Sequence, residues 1–120
     1  MTTTDTIQSY FKSLSAKSGW ETLLADDMVF ASFTSPVKHV TGKGAYLEAT
    51  KRFFSMIKAV EIRSILVDGE RACALTRYEL QAPGALAFES QVAELFEVRD
   101  GKITSLEIYF DSAPFPKPKS

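Results

Sequence analysis

The feature that most constrains this chain is the stretch QVAELFEVRDGKITSLEIYFD, residues 91–111. It reads as two long strands meeting at Arg99-Asp100-Gly101. Two closures are open to it. A two-residue Asp100-Gly101 loop pairs Arg99 with Lys102, whereas a three-residue loop, a type I turn ending on a left-handed glycine, pairs Val98 with Lys102. The choice matters because a slip of one residue turns every side chain over to the other face. The longer loop puts Ser90, Val92, Glu94, Phe96, Val98, Thr104, Leu106, Ile108 and Phe110 on one side. Gln91, Ala93, Leu95, Glu97, Ser105, Glu107, Tyr109 and Asp111 fall on the other. The shorter loop mixes charged and apolar residues on both faces, so the longer turn is the expectation. It produces an apolar wall with a single carboxylate in it, Glu94.

The rest of the chain supplies what such a wall packs against. Ile7, Tyr10, Phe11 and Leu14 recur at helical spacing, with one of Thr2, Thr3 and Thr4 placed to cap the helix. Ser18-Gly19-Trp20-Glu21 has capping-box spacing and predicts a short second helix. A strand is expected over residues 28–33, then a polar loop over 35–43 with Pro36 and His39. A third helix follows Gly42 and Gly44 and runs to about Ile57, with Tyr46, Ala49, Phe53, Phe54 and Ile57 on its apolar side. Strands over 60–67 and 71–81 flank the Asp68-Gly69-Glu70 turn, and Pro83-Gly84 leads into the opening hairpin. Three helices preceding or flanking a run of strands predict an α+β fold, with the helices packed in a strongly curved antiparallel or mixed sheet. Such a cone-shaped barrel leaves room for a small ligand at its wide end.

At 120 residues the chain makes one domain, expected over residues 1–112, with a proline-rich tail over 113–120. A net charge of −1 provides no field for nucleic acid or an anionic membrane. No apolar run is long enough to span a bilayer, and the first residues lack the pattern of a signal peptide. With Cys73 alone no internal disulfide forms, and a cytoplasmic setting is the expectation. Cys73 itself reads as a small buried filler. One histidine and one cysteine make no zinc site, and Thr41-Gly42-Lys43-Gly44 lacks the spacing of a phosphate-binding loop, so neither metal nor cofactor is expected. His39, in a loop of lysines and threonines, reads as solvated.

The order of elements, together with LLADDMVF at residues 23–30, TGKGAYLEATKRFF at 41–54 and FEVRDGKITSLEIYFD at 96–111, resembles the nuclear transport factor 2-like, or SnoaL-like, cone fold over residues 4–112. That resemblance implies ketosteroid isomerases, polyketide cyclases, epoxide hydrolases and dehydratases as relatives, beside members that only bind or dimerise, so fold alone does not assign an activity. It also implies where catalytic groups would stand. The position of the isomerases' general base is Ser32 here, and that of the cyclases' final-strand aspartate is Ile108. Asp111 faces the other way, and Arg77 and Glu79 alternate onto the outer face. Glu94 stands where the isomerases carry an oxyanion-stabilising acid.

Glu94 is therefore the candidate catalytic residue, an acid whose pKa rises in an apolar wall. Tyr10, Phe30, Ser32, Tyr78, Phe96, Leu106, Ile108 and Phe110 are the candidate ligand-binding residues, with Tyr10 placed to share a hydrogen bond with Glu94. The reading is a protein that binds a small apolar or aromatic molecule. A proton-transfer enzyme of isomerase, cyclase or dehydratase type, using Glu94 as acid/base, is one alternative. A non-catalytic dimeric interaction module is the other. Ala93, Leu95, Ile103, Tyr109, Leu75 and Cys73 make the outer sheet face apolar, which predicts a homodimer through that face with Glu97, Arg77 and Arg99 at its rim.

Overall fold

The computed structural model describes residues 2–33, 38–111 and 115. Pro36 and, apart from Phe115, the expected tail lie outside them. Helix α1 spans Thr3–Ala16, and Thr2 caps it with a full capping box: its hydroxyl accepts from the Asp5 amide while the Asp5 carboxylate accepts from the Thr2 amide. The helix ends at Lys17, which takes a left-handed conformation, and the Ser18 amide donates to the Ser13 carbonyl. Ser18 is thereby used in closing α1. The expected second helix is reduced to one 3-10 turn, Trp20–Leu23, with no side-chain cap, because strand β1 begins at Leu24.

Strand β1, Leu24–Ser32, starts four residues earlier than its hydropathy predicts and is followed by a short strand β2, Lys38–Thr41, where a loop is expected. His39 thus sits on a strand, exposed, with its ring edge-on to Phe33. Helix α2, Lys43–Ser55, stops short of Ile57, which is the buried first residue of β3, Ile57–Asp68. Strands β4, Arg71–Leu80, β5, Phe88–Arg99, and β6, Lys102–Phe110, complete one mixed sheet in the order β2-β1-β6-β5-β4-β3. Strands β1 and β6 run parallel; the other neighbours are antiparallel. The class is α+β, with two α-helices and one 3-10 turn among the described residues in place of three helices.

The organising hairpin closes differently from expectation. Arg99 pairs with Lys102 across a two-residue Asp100-Gly101 turn, both residues having positive φ. This is the primed type of turn, whose twist matches that of the strands. The register then shifts, since Val98 pairs with Ile103 but Glu97 pairs with Ser105, leaving Thr104 as an extra residue. The bulge restores the predicted parity from Ser105 onward, so Leu106, Ile108 and Phe110 still share the inner face with Glu94. It also turns Ile103 into the core, fully buried, where unbroken alternation assigns it to the outer face. Further irregularities lie in β3 and β1. Each bends its strand, and together they curve the sheet around the helices.

Helix α1 packs across β3, β4 and β5, and α2 packs against β1 and β2. The core between them is aromatic: Tyr10, Phe11 and Phe96 meet edge-to-face beneath α1, while Phe30, Tyr46 and Phe54 cluster beneath α2. On the convex side Arg77 bridges Glu61 and Glu89 at 3.1 and 2.5 Å, as its outward assignment requires. Cys73 is also on this side, half-buried, and not the core filler that its residue type suggests.

Candidate functional site

Between the two helices the concave face of the sheet is not filled. A cavity of about 140 Å³ opens there, lined from α1 by Tyr10 and from α2 by Tyr46, Thr50, Phe53 and Phe54. The sheet contributes Phe30, Ser32, Lys38, Tyr78, Ser90, Val92, Glu94, Leu106, Ile108 and Phe110. Phe115 closes one side, its ring packed on Phe88 and Phe110 at 5.1 Å from each. A wider groove of about 460 Å³ lies outside α2, between Trp20, Leu47 and Lys51. It faces solvent with surface lysines and Glu48 and has no set of buried polar groups converging on it, so the inner cavity is the candidate site.

Glu94 is brought inside by strand alternation: Ser90, Val92, Glu94 and Phe96 occupy successive inward positions of β5 and are all buried. The carboxyl is 3 % exposed. One of its oxygens, Oε2, accepts hydrogen bonds from Thr76 Oγ1 at 2.8 Å and Tyr78 Oη at 3.0 Å, both from β4. Burial pushes its pKa up from 4.5 to about 7, with the two hydrogen bonds partly opposing the rise. Burial likewise drives the Tyr10, Tyr46 and Tyr78 hydroxyls well above their ordinary range, so all three stay protonated as donors.

The other oxygen, Oε1, accepts no hydrogen bond from the described residues. Among the described residues, the side-chain polar atoms sealed from solvent without a partner are Trp20 Nε1 and Ser90 Oγ. Glu94 Oε1 and Ser32 Oγ also have no hydrogen-bond partner among the described residues, are not among these sealed atoms, and belong to residues that line the cavity. Tyr10 bonds Tyr46, hydroxyl to hydroxyl at 3.0 Å, and not Glu94 as expected. Two hydroxyls sharing one hydrogen bond leave one O–H hydrogen to spare. The residues lining the cavity therefore include a carboxyl oxygen, a serine hydroxyl and a phenolic hydrogen without partners among the described residues, set among apolar side chains.

Of the residues singled out from sequence, Tyr10, Phe30, Ser32, Tyr78, Glu94, Leu106, Ile108 and Phe110 line this space. Phe96 does not: it is locked in the core under α1 by Tyr10 and Phe11, filling the narrow end of the cone. Lys38, Tyr46, Thr76 and Ser90 went unrecognised. Thr76 and Tyr78 alternate inward on β4 as expected, but their meeting with Glu94 depends on the β4–β5 register, Thr76 opposite Val92 and Tyr78 opposite Ser90. No group of His, Cys, Asp and Glu among the described residues is placed to hold a metal ion.

The SnoaL-like domain profile matches residues 7–106, most of the chain. The chain belongs to the SnoaL-like domain family. A comparison with curated proteins gives no match. Solved structures similar to this SnoaL-like chain include a protein from Kribbella flavida, 23% identical, covering 92% of this chain and 88% of that one with a TM-score of 0.78. A nuclear transport factor 2-like protein from Cytophaga hutchinsonii is 19% identical, covering 95% and 94%, with a TM-score of 0.76. A protein of ketosteroid isomerase-like fold from Catenulispora acidiphila, solved in complex with trimethylamine, is 21% identical over 87% and 83%, with a TM-score of 0.72. At these identities the likeness carries the fold. No helix of this SnoaL-like protein is long and apolar enough to cross a membrane.

Proposed function

We propose that this protein binds a small organic molecule of about one ring's size in the inner cavity, with Glu94 recognising a carbonyl or hydroxyl oxygen of that molecule. The observation that carries the reading is the division of labour within one carboxyl lining the cavity: Oε2 is held by Thr76 and Tyr78, while Oε1 has no hydrogen-bond partner among the described residues. In a buried site a polar atom is costly unless a partner reaches it. The volume argues for size, since a cavity near 140 Å³ matches one that holds a benzene-sized molecule and is too small for a fused polycyclic one. A neutral Glu94 donates its proton to a ligand oxygen; an ionised one accepts from a ligand hydroxyl.

A proton-transfer enzyme is the second reading, favoured by a pKa of about 7, which lets Glu94 give and take a proton near neutrality. Replacement separates the two. In Glu94→Gln the amide oxygen takes the bonds from Thr76 and Tyr78 and the amide nitrogen faces the cavity as a donor. Calorimetry with single-ring ketones and phenols is expected to show Glu94→Gln binding the ketones within about threefold of wild type, and Glu94→Leu weakened about tenfold. Equal binding by Glu94→Leu, or no binding of any such compound to the wild type, overturns the reading. A compound turned over by wild type, and bound but not converted by Glu94→Gln, decides for the enzyme.

The convex face is proposed as the seat of a second copy of the chain. Leu66, Cys73, Leu75, Ala93, Leu95 and Tyr109, with Phe33 stacked on Tyr109 at 5.2 Å, form an apolar surface edged by the Arg77–Glu61–Glu89 cluster and the Arg71–Glu97 pair. Ile103, buried in the core, takes no part in it. In sedimentation experiments Leu95→Glu is expected to shift a wild-type dimer to monomer; a monomeric wild type refutes the assembly.

A further inference from the structure

The cavity has a second charged wall residue, and its position follows from the pairing of the strands. Glu94 lies opposite Ile108, Ile108 beside Ser32, and Ser32 opposite Lys38, so the four residues form one row across β5, β6, β1 and β2. All four line the cavity. Lys38 is exposed at the mouth, and no carboxylate among the described residues pairs with it. Next to it in the row is Ser32, a lining residue whose hydroxyl has no hydrogen-bond partner among the described residues. An ammonium and a hydroxyl on adjacent strands, facing the same space, form a receptor for an oxyanion. Glu94 and Lys38 stand three strand spacings apart, roughly 14 Å along the row. A ring with a polar group at each end bridges that gap once the two side chains have reached in.

We propose that the ligand is a single-ring carboxylate, its carboxylate held at the mouth by Lys38 and Ser32 and an oxygen on the opposite side of the ring held by Glu94. This rests on the ligand-binding reading above and adds the charge and orientation of the ligand. The apolar residues between the two ends, Ile108, Leu106, Phe30 and Phe54 among them, cover the ring and exclude a second charge from its middle.

The test uses 4-hydroxybenzoate and its methyl ester, which share the ring and the phenol and differ in the anion. Titration calorimetry on the full chain is expected to give the acid an affinity about tenfold higher than the ester. Lys38→Met, which keeps most of the stem and removes the ammonium, abolishes that difference by weakening the acid while leaving the ester unchanged. Ser32→Ala weakens the acid by a smaller factor. Equal affinities of acid and ester in the wild type, or an unchanged acid affinity in Lys38→Met, overturn the carboxylate while leaving the ligand-binding reading intact. Failure of both compounds to bind the wild type overturns both. Since Lys38 is exposed and makes no ion pair among the described residues, its replacement is not expected to disturb folding, and an unchanged melting temperature verifies this.

Discussion

Wild-type protein is expected to lose about 3 kcal/mol of stability between pH 4.5 and pH 7 through Glu94 alone, and Glu94→Gln to lose none of it. The unfolded chain releases this proton near 4.5, whereas the folded protein holds it until about 7. Between those values the folded state binds more protons than the unfolded state, so stability falls as pH rises. Below 4.5 both states are protonated and the contribution is complete. Above 7 both are ionised and no more is lost. The direction is opposite to that of a carboxylate in an ion pair, whose stabilisation disappears in acid. Urea unfolding of the two proteins at a series of pH values checks it. The difference between their curves isolates Glu94 from the exposed carboxylates, which both proteins share. A parallel pair of curves means that Glu94 ionises normally, and the solvent-excluded setting described for it is wrong.

The second large effect contrasts two neighbours on β5. Phe96→Ala is expected to cost about 3–5 kcal/mol, lowering the melting temperature by roughly 15 °C. Its ring is 1 % exposed and meets Tyr10 and Phe11 edge-to-face at 5.9 Å, so truncation leaves a hole at the seam between α1 and the sheet. Leu95→Ala, one residue away and on the convex face at 36 % exposed, is expected to cost the monomer less than about 1 kcal/mol. Thermal unfolding at a concentration where both variants are monomeric makes the comparison. Similar losses, or a reversal, show that β5 presents the other face to the core, and Glu94 then leaves the cavity with it.

That parity was legible in the sequence for a reason only partly correct. Alternation along β5 is marked at its ends, with Val92, Phe96 and Val98 apolar and Gln91, Glu97 and Arg99 polar, and it carries Glu94 inward despite the apolar Ala93 and Leu95 on the other face. On β6 the pattern is broken by the bulge at Thr104, and a bulge leaves no mark in hydropathy beyond an apolar residue, Ile103, out of phase. The three-residue loop absorbed that phase error at the wrong place. Strand β2 was missed because four residues, Lys38–Thr41, show too little alternation to stand out from a loop, and its pairing with β1 is set by contacts distant in sequence. Lys38 went with it. Tyr46 was recognised as part of an apolar helix face, but its hydroxyl bond to Tyr10 comes from the approach of two helices over the sheet, which no local pattern encodes.

The order β2-β1-β6-β5-β4-β3 puts the last of these six strands to leave the ribosome in the middle of the sheet. Until residues 102–110 have emerged, the ribbon made by β1 and β2 has no hydrogen-bonded connection to the β3–β5 meander, and each exposes an unpaired edge. The nascent sheet must wait, half-assembled, for β6 to slot between the two. A premature stop after Arg99 would therefore split the molecule down its centre and not merely trim a border.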